Sequence, residues 1–339
     1  MDILTAPLQY EFFTHGLLAG VLVGGMCALI GVYIVLRRMS YIGHGLSHAV
    51  FGGAVVSYVM SWNFYIGAGF WGFLSVLLIN AVARKKKVGA DAAIGVITTA
   101  SFAVGVAIIS RYRRFTKSFD AALFGNILGV TSEDLWIIAI VAVVSVLLIA
   151  IFYRQLLFTT FDADVARIYG VPVTLTEACF SFILASTVIV SMQVMGVTMI
   201  AAAIVVPAVT ARLLTDDFNE MIFLSVAIGI LCGIVGMYLS FYFDLASGAT
   251  IVLTAASLFV LGYIIHVSRS RSRHLKEGET IESQVTEMTH AHAHDHSGFY
   301  HVHEHSHAKS EDCNEENASH RHHDQGGGDR IHAPNNTNT

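Results

Sequence analysis

The sequence predicts an all-α protein: a polytopic bundle of about nine transmembrane helices that ends in a disordered, histidine-rich tail. Three observations predict it. The 339 residues are 54% hydrophobic and 13% charged, with mean hydropathy +0.61, too apolar for a soluble domain of this length. Charge is unevenly distributed, because residues 1–267 carry 13 Lys/Arg and 13 Asp/Glu whereas residues 268–339 carry 7 and 12. That same stretch holds 13 of the 17 histidines. The chain therefore divides into a transmembrane domain, 1–267, and a tail, 268–339.

A helix crosses hydrocarbon with about 20 apolar residues. The first such run, 14–36, carries Gly16, Gly20 and Gly24 at four-residue spacing, a small-residue face suited to close helix packing. It has no basic flank before it and reads as a retained span, not a cleaved leader. Arg37 and Arg38 separate it from a second run, 41–60, YIGHGLSHAVFGGAVVSYVM. The third, 63–83, stops at Arg84, Lys85, Lys86 and Lys87. The fourth, 90–110, gives way to a polar stretch over 111–134, and the fifth is 134–153.

The segment 160–173, TFDADVARIYGVPV, is too polar to span. Asp162 caps a short amphipathic helix over 163–169, and Gly170 and Pro172 stop it. It reads as a connector or as a docking helix for a soluble partner. Spans at 175–194, 197–214, 219–243 and 248–267 complete the set. Met195-Gly196 is a thin divider, so 175–214 also reads as a helix followed by a re-entrant segment. From Ser268 onward there are almost no aliphatic clusters, and the composition predicts disorder.

Basic loops predict the orientation. The loops at 37–38, 84–87, 154–167 and 212, with the start of the tail, fall on one side, which is expected to be cytoplasmic. This sets the N-terminus outside and the C-terminus inside, against the opposing Arg111, Arg113, Arg114 and Lys117. Cys27, Cys179, Cys232 and Cys313 show no paired metal-ligand spacing and read as small hydrophobes.

Within this frame His44 and His48 stand out. Titratable groups are costly in hydrocarbon and mark a pathway or a site. Spacing of four sets both rings on one helix face, where they supply half of a tetrahedral shell. A single histidine would more simply bond a neighbouring backbone group; two on one face favour a metal or a pathway. Asp91, Glu133, Asp134, Glu177, Asp244, His15 and His266 all fall near predicted helix ends and read as caps or interfacial groups.

In the tail, His290, His292, His294, His296, His301, His303, His305 and His307 alternate with other residues, interleaved with Asp295 and Glu304. They read as a loose multidentate metal-binding segment. No G-x-x-x-x-G-K-[ST] loop occurs, so energy for transport must come from an ion gradient or a separate ATPase.

Four stretches, in order, carry a resemblance: GVYIVLRRMSYIGHGLSHAVFGG at 31–53, LFGNILGVTSEDL at 123–135, FDADVARIYGVPV at 161–173 and MGVTMIAAAIVVPAVTARLL at 195–214. On these the chain resembles the membrane permease subunit of the zinc/manganese-type ABC importers, over roughly residues 12–266. The resemblance implies a type II importer permease in the bacterial cytoplasmic membrane. It would form a homodimeric pore on a cytoplasmic ABC ATPase and be fed by an extracytoplasmic metal-binding protein. It would not itself be an enzyme, would hold no permanent cofactor and would have no nucleic-acid partner.

The resemblance sets the pathway site on His44 and His48, and ATPase docking on Asp162, Ala163, Asp164, Ala166, Arg167 and Gly170. His48 matches the family's Ser-His-Ala histidine, whereas His44 stands where the family commonly has aspartate. A nitrogen donor in place of an oxygen biases the site towards zinc, so Zn2+ is the expected cargo. Manganese or iron on the same architecture, or a stand-alone secondary metal transporter, are the alternatives.

Overall fold

Backbone amides in hydrocarbon find no water, so each apolar run must satisfy its own hydrogen bonds as a helix. The computed structural model describes residues 5–39, 41–83, 89–112, 125, 127–287, 289–296 and 299–306. Among them, long helices occupy every predicted run: α1 (Glu11–Leu36), α2 (Tyr41–Val59), α3 (Phe64–Ala83), α4 (Ala90–Tyr112), α5 (Ser132–Ile151), α8 (Val173–Met195), α9 (Ile200–Leu214), α10 (Phe218–Phe243) and α11 (Ser247–Glu287). Two short helices, α6 (Tyr153–Phe161) and α7 (Ala163–Ile168), lie between α5 and α8.

Seven of these helices are long and apolar enough to cross a bilayer, and α2 and α9 are not among them. The expected nine spans are thus not matched by this measure. α9 has 15 residues, about 22 Å at 1.5 Å per residue against a hydrocarbon core of about 30 Å. In α2 the two histidines, Ser47, Ser57 and four glycines dilute the apolar content. Gly196, at φ +76°, ends α8, a backbone conformation that glycine adopts without penalty. The thin divider of the sequence is therefore a true break between two helices.

α1 and α8 form the centre, with two thirds of each apolar window buried, against 17% for α5. α1 packs on α10, α9, α5 and α8, and α2 on α4, α3, α8 and α9. The glycine face works as its spacing predicts. A Cβ on Gly24 would run into the carbonyl oxygen of Gly229, and one on Gly233 would sit 2.5 Å from the carbonyl of Gly20. α1 and α10 therefore touch backbone to backbone. Arg38, at φ +56°, turns the chain sharply between α1 and α2.

Residues 271–339 form a second compact unit. α11 continues to Glu287, and two strands follow, β1 (Thr289–His296) and β2 (Phe299–Ser306), paired antiparallel. Leu275, Lys276, Glu277, Gln284 and Glu287 are good helix formers, and only Gly278 interrupts them. The strands follow from the period-two alternation of histidine, which is a strand pattern whatever its polarity. His303 to His307 also reads H-E-x-x-H, but that zinc motif requires a helix and this one begins on a strand. His307 lies outside the described residues, as does Cys313.

Candidate functional site

α2 begins with Tyr41 and places His44 and His48 one turn apart, as the spacing predicts. Their ring centroids lie 4.6 Å apart at an interplanar angle of 81°. Neither ring faces open solvent fully, since both residues are of intermediate exposure. His48 packs edge-on against Phe102 of α4, with centroids 5.0 Å apart, and His44 lies 5.7 Å from the ring of Tyr41. The carbonyl of His44 accepts from the Ser47 hydroxyl at 2.8 Å.

The Nδ1 atom of His48 is buried and has no hydrogen-bond partner. A buried polar atom without a partner is costly, about 1–3 kcal/mol, and the simple alternative, a ring satisfied by a neighbouring backbone group, does not hold for this nitrogen. Among the described residues no group of three or more His, Cys, Asp or Glu side chains converges on one point. The pair thus supplies two nitrogen donors, and further ligands for a bound ion must be water or groups from outside this set.

Most of the other ionisable groups sit at or near helix ends, as expected; His266 does not, because α11 continues to Glu287. Asp134 forms a capping box with Thr131 and accepts from the Tyr65 hydroxyl at 2.7 Å. Asp244 closes α10 in a left-handed conformation. The His266 ring contacts the carbonyl of Leu213 at 2.8 Å. Cys27 and Cys232 are buried, and the Cys27 thiol lies 3.3 Å from the Ser191 hydroxyl.

The short helix α7 forms as its sequence dictates. Asp162 Oδ1 accepts from the backbone N–H groups of Asp164 and Val165, both at 2.9 Å. Ala163 opens the helix, Ala166 is fully buried beneath it, and Gly170 at φ +77° reverses the chain. Arg167 pairs with Asp164 at 3.1 Å on the surface, a contact of little energetic weight. The sequence reading named Asp162, Ala163, Asp164, Ala166, Arg167 and Gly170 here and passed over the large apolar residues. Ile168 and Tyr169 are 83% and 77% exposed, with Phe161 and Phe158 exposed beside them on α6.

Sequence reasoning also missed Arg37, which it read only as a break between spans. Its Nε donates to Thr160 Oγ1 and its Nη2 to Thr159 Oγ1, both at 3.1 Å, and its guanidinium lies 4.3 Å from the Phe180 ring centre. Burial pulls its pKa down from the ordinary arginine value, and the charges of Glu177 and Tyr33 oppose this. The side chain joins the end of α1 to α6, which leads directly into α7. No local signal announces a contact between residues more than 120 positions apart.

A bundle of apolar helices with a half-buried histidine pair on α2 and a capped surface helix has the architecture of a membrane permease. Residues 9–266 match the family model described as the ABC 3 transport family, and the chain belongs to that family. It is 37% identical over 264 residues to the manganese transport system membrane protein MntC of Listeria monocytogenes, covering 78% of this chain and 94% of that protein. It is 33% identical over 268 residues to the manganese import system permease protein ScaB of Streptococcus gordonii, covering 79% and 95%. Among solved structures it is similar to PsaBC from Streptococcus pneumoniae in complex with Fab, with a TM-score of 0.71 at 32% identity over 77% of this chain and 94% of that one. The chain is therefore a metal ABC importer permease. The relatives cited are named for manganese and not for zinc, so the expectation of zinc as the cargo finds no support in them.

Proposed function

We propose that this chain is the membrane subunit of an ATP-driven importer of manganese, in which His44 and His48 line the route of the ion. The observation that carries the pathway is the buried, unpartnered Nδ1 of His48 beside His44 on one face of α2. Manganese is supported by the names of the relatives. Zinc is the second reading, favoured by one observation: both side chains of the pair offer nitrogen, and manganese prefers oxygen.

The working assembly in this reading is a homodimer in the cytoplasmic membrane, with the N-terminus outside and the C-terminus inside. It stands on a cytoplasmic ATPase and receives the ion from an extracytoplasmic metal-binding protein. The ATPase docks on α7, where the exposed Ile168 and Tyr169 offer an apolar contact and Asp164 and Arg167 a polar rim. Arg37 holds the preceding helix against α1, so a push on α7 reaches the helix that leads into α2 and its histidines.

The test is uptake into proteoliposomes that contain the permease, its ATPase and the binding protein, with Mn2+, Fe2+ and Zn2+ in competition. ATP-dependent uptake led by Mn2+ supports the proposal. Uptake without the ATPase would instead mark a stand-alone carrier and overturn it. Replacing His44→Asp exchanges one nitrogen donor for oxygen and is expected to raise the ratio of manganese to zinc uptake. An unchanged ratio would remove His44 from the set of groups that meet the ion.

The docking role has its own test. Asp162→Ala removes the N-cap of α7 at a cost of about 1 kcal/mol, too little to unfold the bundle but enough to loosen a six-residue helix. Coupled uptake is expected to fall several-fold, with ATP hydrolysis less stimulated by metal. Asp162→Asn, which still caps, should restore most of it. Equal activity in all three proteins would exclude a coupling role for this element.

A further inference from the structure

α10 and α11 touch at one end and part at the other. A Cβ on Gly236 would lie 2.6 Å from the Cα of Ile251, so the two helices meet there at backbone distance. Towards the opposite end α11 leans onto α9 instead. A Cβ on Gly262 would lie 3.1 Å from the Thr210 side chain, and the His266 ring meets the Leu213 carbonyl at 2.8 Å. The parting leaves a cleft of about 700 Å3 between the end of α9, the first turns of α10 and the last apolar turn of α11. The apolar stretch of α10 starts at Phe218, and that of α11 ends at Arg269. The cleft thus opens at the level where hydrocarbon gives way to headgroups.

The lining is of two kinds. Leu214, Phe223, Leu224 and Ile265 form an apolar wall, and Phe223 is 76% exposed. Beside it stand Thr215, Asn219, Glu220 and Arg269. Glu220 accepts from the Thr215 hydroxyl through Oε2 at 2.7 Å, which leaves Oε1 open among the described residues. Asn219 commits its carbonyl oxygen to the Tyr153 hydroxyl at 2.8 Å, so its amide N–H groups are left to donate. Arg269 has no ion-pair partner among the described residues. One cleft thus offers a carboxylate and, separately, a guanidinium with an amide donor, next to an apolar wall.

We propose that this cleft binds one phospholipid whose headgroup joins a phosphate to a primary ammonium, of the phosphatidylethanolamine class. A wedge between spans has lipid as its neighbour, and lipid tails are as apolar as leucine, so the wall takes the upper part of an acyl chain. The volume falls within the roughly 300–1,000 Å3 of sites for small molecules. Charge selects the headgroup. The Arg269 fork and the Asn219 amide suit the phosphate. The Glu220 carboxylate suits the ammonium, and it disfavours a headgroup that carries only negative charge. A choline ammonium has no N–H to donate, so it forgoes the charge-assisted hydrogen bond. The lipid bridges α10 and α11 at the end where they part. The site uses neither His44 nor His48 and is independent of the metal route.

The test is native mass spectrometry of the full-length chain, released from detergent micelles doped with equal amounts of phosphatidylethanolamine, phosphatidylcholine and phosphatidylglycerol. The parent is expected to retain phosphatidylethanolamine several-fold over either competitor. Glu220→Gln keeps an acceptor for Thr215 and removes the charge, so the preference over phosphatidylcholine should fall to near parity. Arg269→Gln should lower retention of phosphatidylethanolamine several-fold. Both side chains are exposed, so each variant should melt like the parent. Arg212→Gln removes a nearby cation that pairs with Asp216 and does not line the cleft, and it should leave retention as it was. Equal retention of the three lipids by the parent would mean boundary lipid only and would overturn the site. A preference for phosphatidylglycerol would overturn it as well, and so would a preference for phosphatidylethanolamine that survives either cleft variant.

Discussion

His48→Ala is expected to abolish metal uptake, by about 100-fold or more, while leaving a folded, membrane-inserted protein. The magnitude follows from losing a donor outright, when loss of a mere supporting group around a metal already costs about 10- to 100-fold. The ring also packs on Phe102, so alanine alone would confuse lost packing with a lost ligand. His48→Phe keeps the aromatic contact and removes both nitrogens. The account expects uptake to fail in both variants, with the detergent-extracted protein melting within a few degrees of the parent. Uptake restored by phenylalanine would make His48 a packing residue and would end its role in the pathway.

Gly24→Leu is expected to be the most damaging change outside that site. α1 and α10 meet at backbone distance there, because Gly24 and Gly229 each occupy the space that the other's Cβ would need. Overpacking a core costs about 1–3 kcal/mol and more where neighbours cannot yield, and here the obstruction is main chain. The folded yield in membranes should collapse. Gly69→Ala is the matched control: nothing lies within 4 Å of its added Cβ, so this change should be neutral or slightly stabilising. If Gly24→Leu accumulated and melted like the parent, the close approach of α1 and α10 would be wrong.

Much of this architecture was legible because membrane helices obey one strong constraint. The apolar runs, the stops at Arg37 and Gly196, the cap at Asp162 and the shared face of His44 and His48 all follow from local chemistry, and each appears where the sequence sets it. The count of spans was less legible. Residues 200–214 are apolar enough but too short, and 41–59 are long enough but diluted by the polar and small residues that give α2 its interest. What stayed hidden was long-range or non-periodic in origin. The grip of Arg37 on Thr159 and Thr160 joins segments with no sequence relation. The strands at 289–296 and 299–306 were not expected, because the polar, acidic composition of the segment outweighed the alternation of histidine. The apolar tips of α7, Ile168 and Tyr169, stayed hidden because no sequence pattern in so short a helix tells an exposed apolar side chain from a buried one.

The metal was the hardest to read. Replacing an expected aspartate by His44 pulls the inference towards zinc, whereas the relatives cited are named for manganese. Two donors do not fix a metal; the remaining ligands of the ion decide it, and they lie beyond this pair.

The most direct test of the central claim is pulsed electron paramagnetic resonance on Mn2+ trapped in the assembled transporter, read for nitrogen couplings. The account expects imidazole couplings from the ion in the parent complex and their loss, together with uptake, in the His44→Ala, His48→Ala double variant. Nitrogen couplings that persist in that variant, or uptake that continues without them, would contradict it.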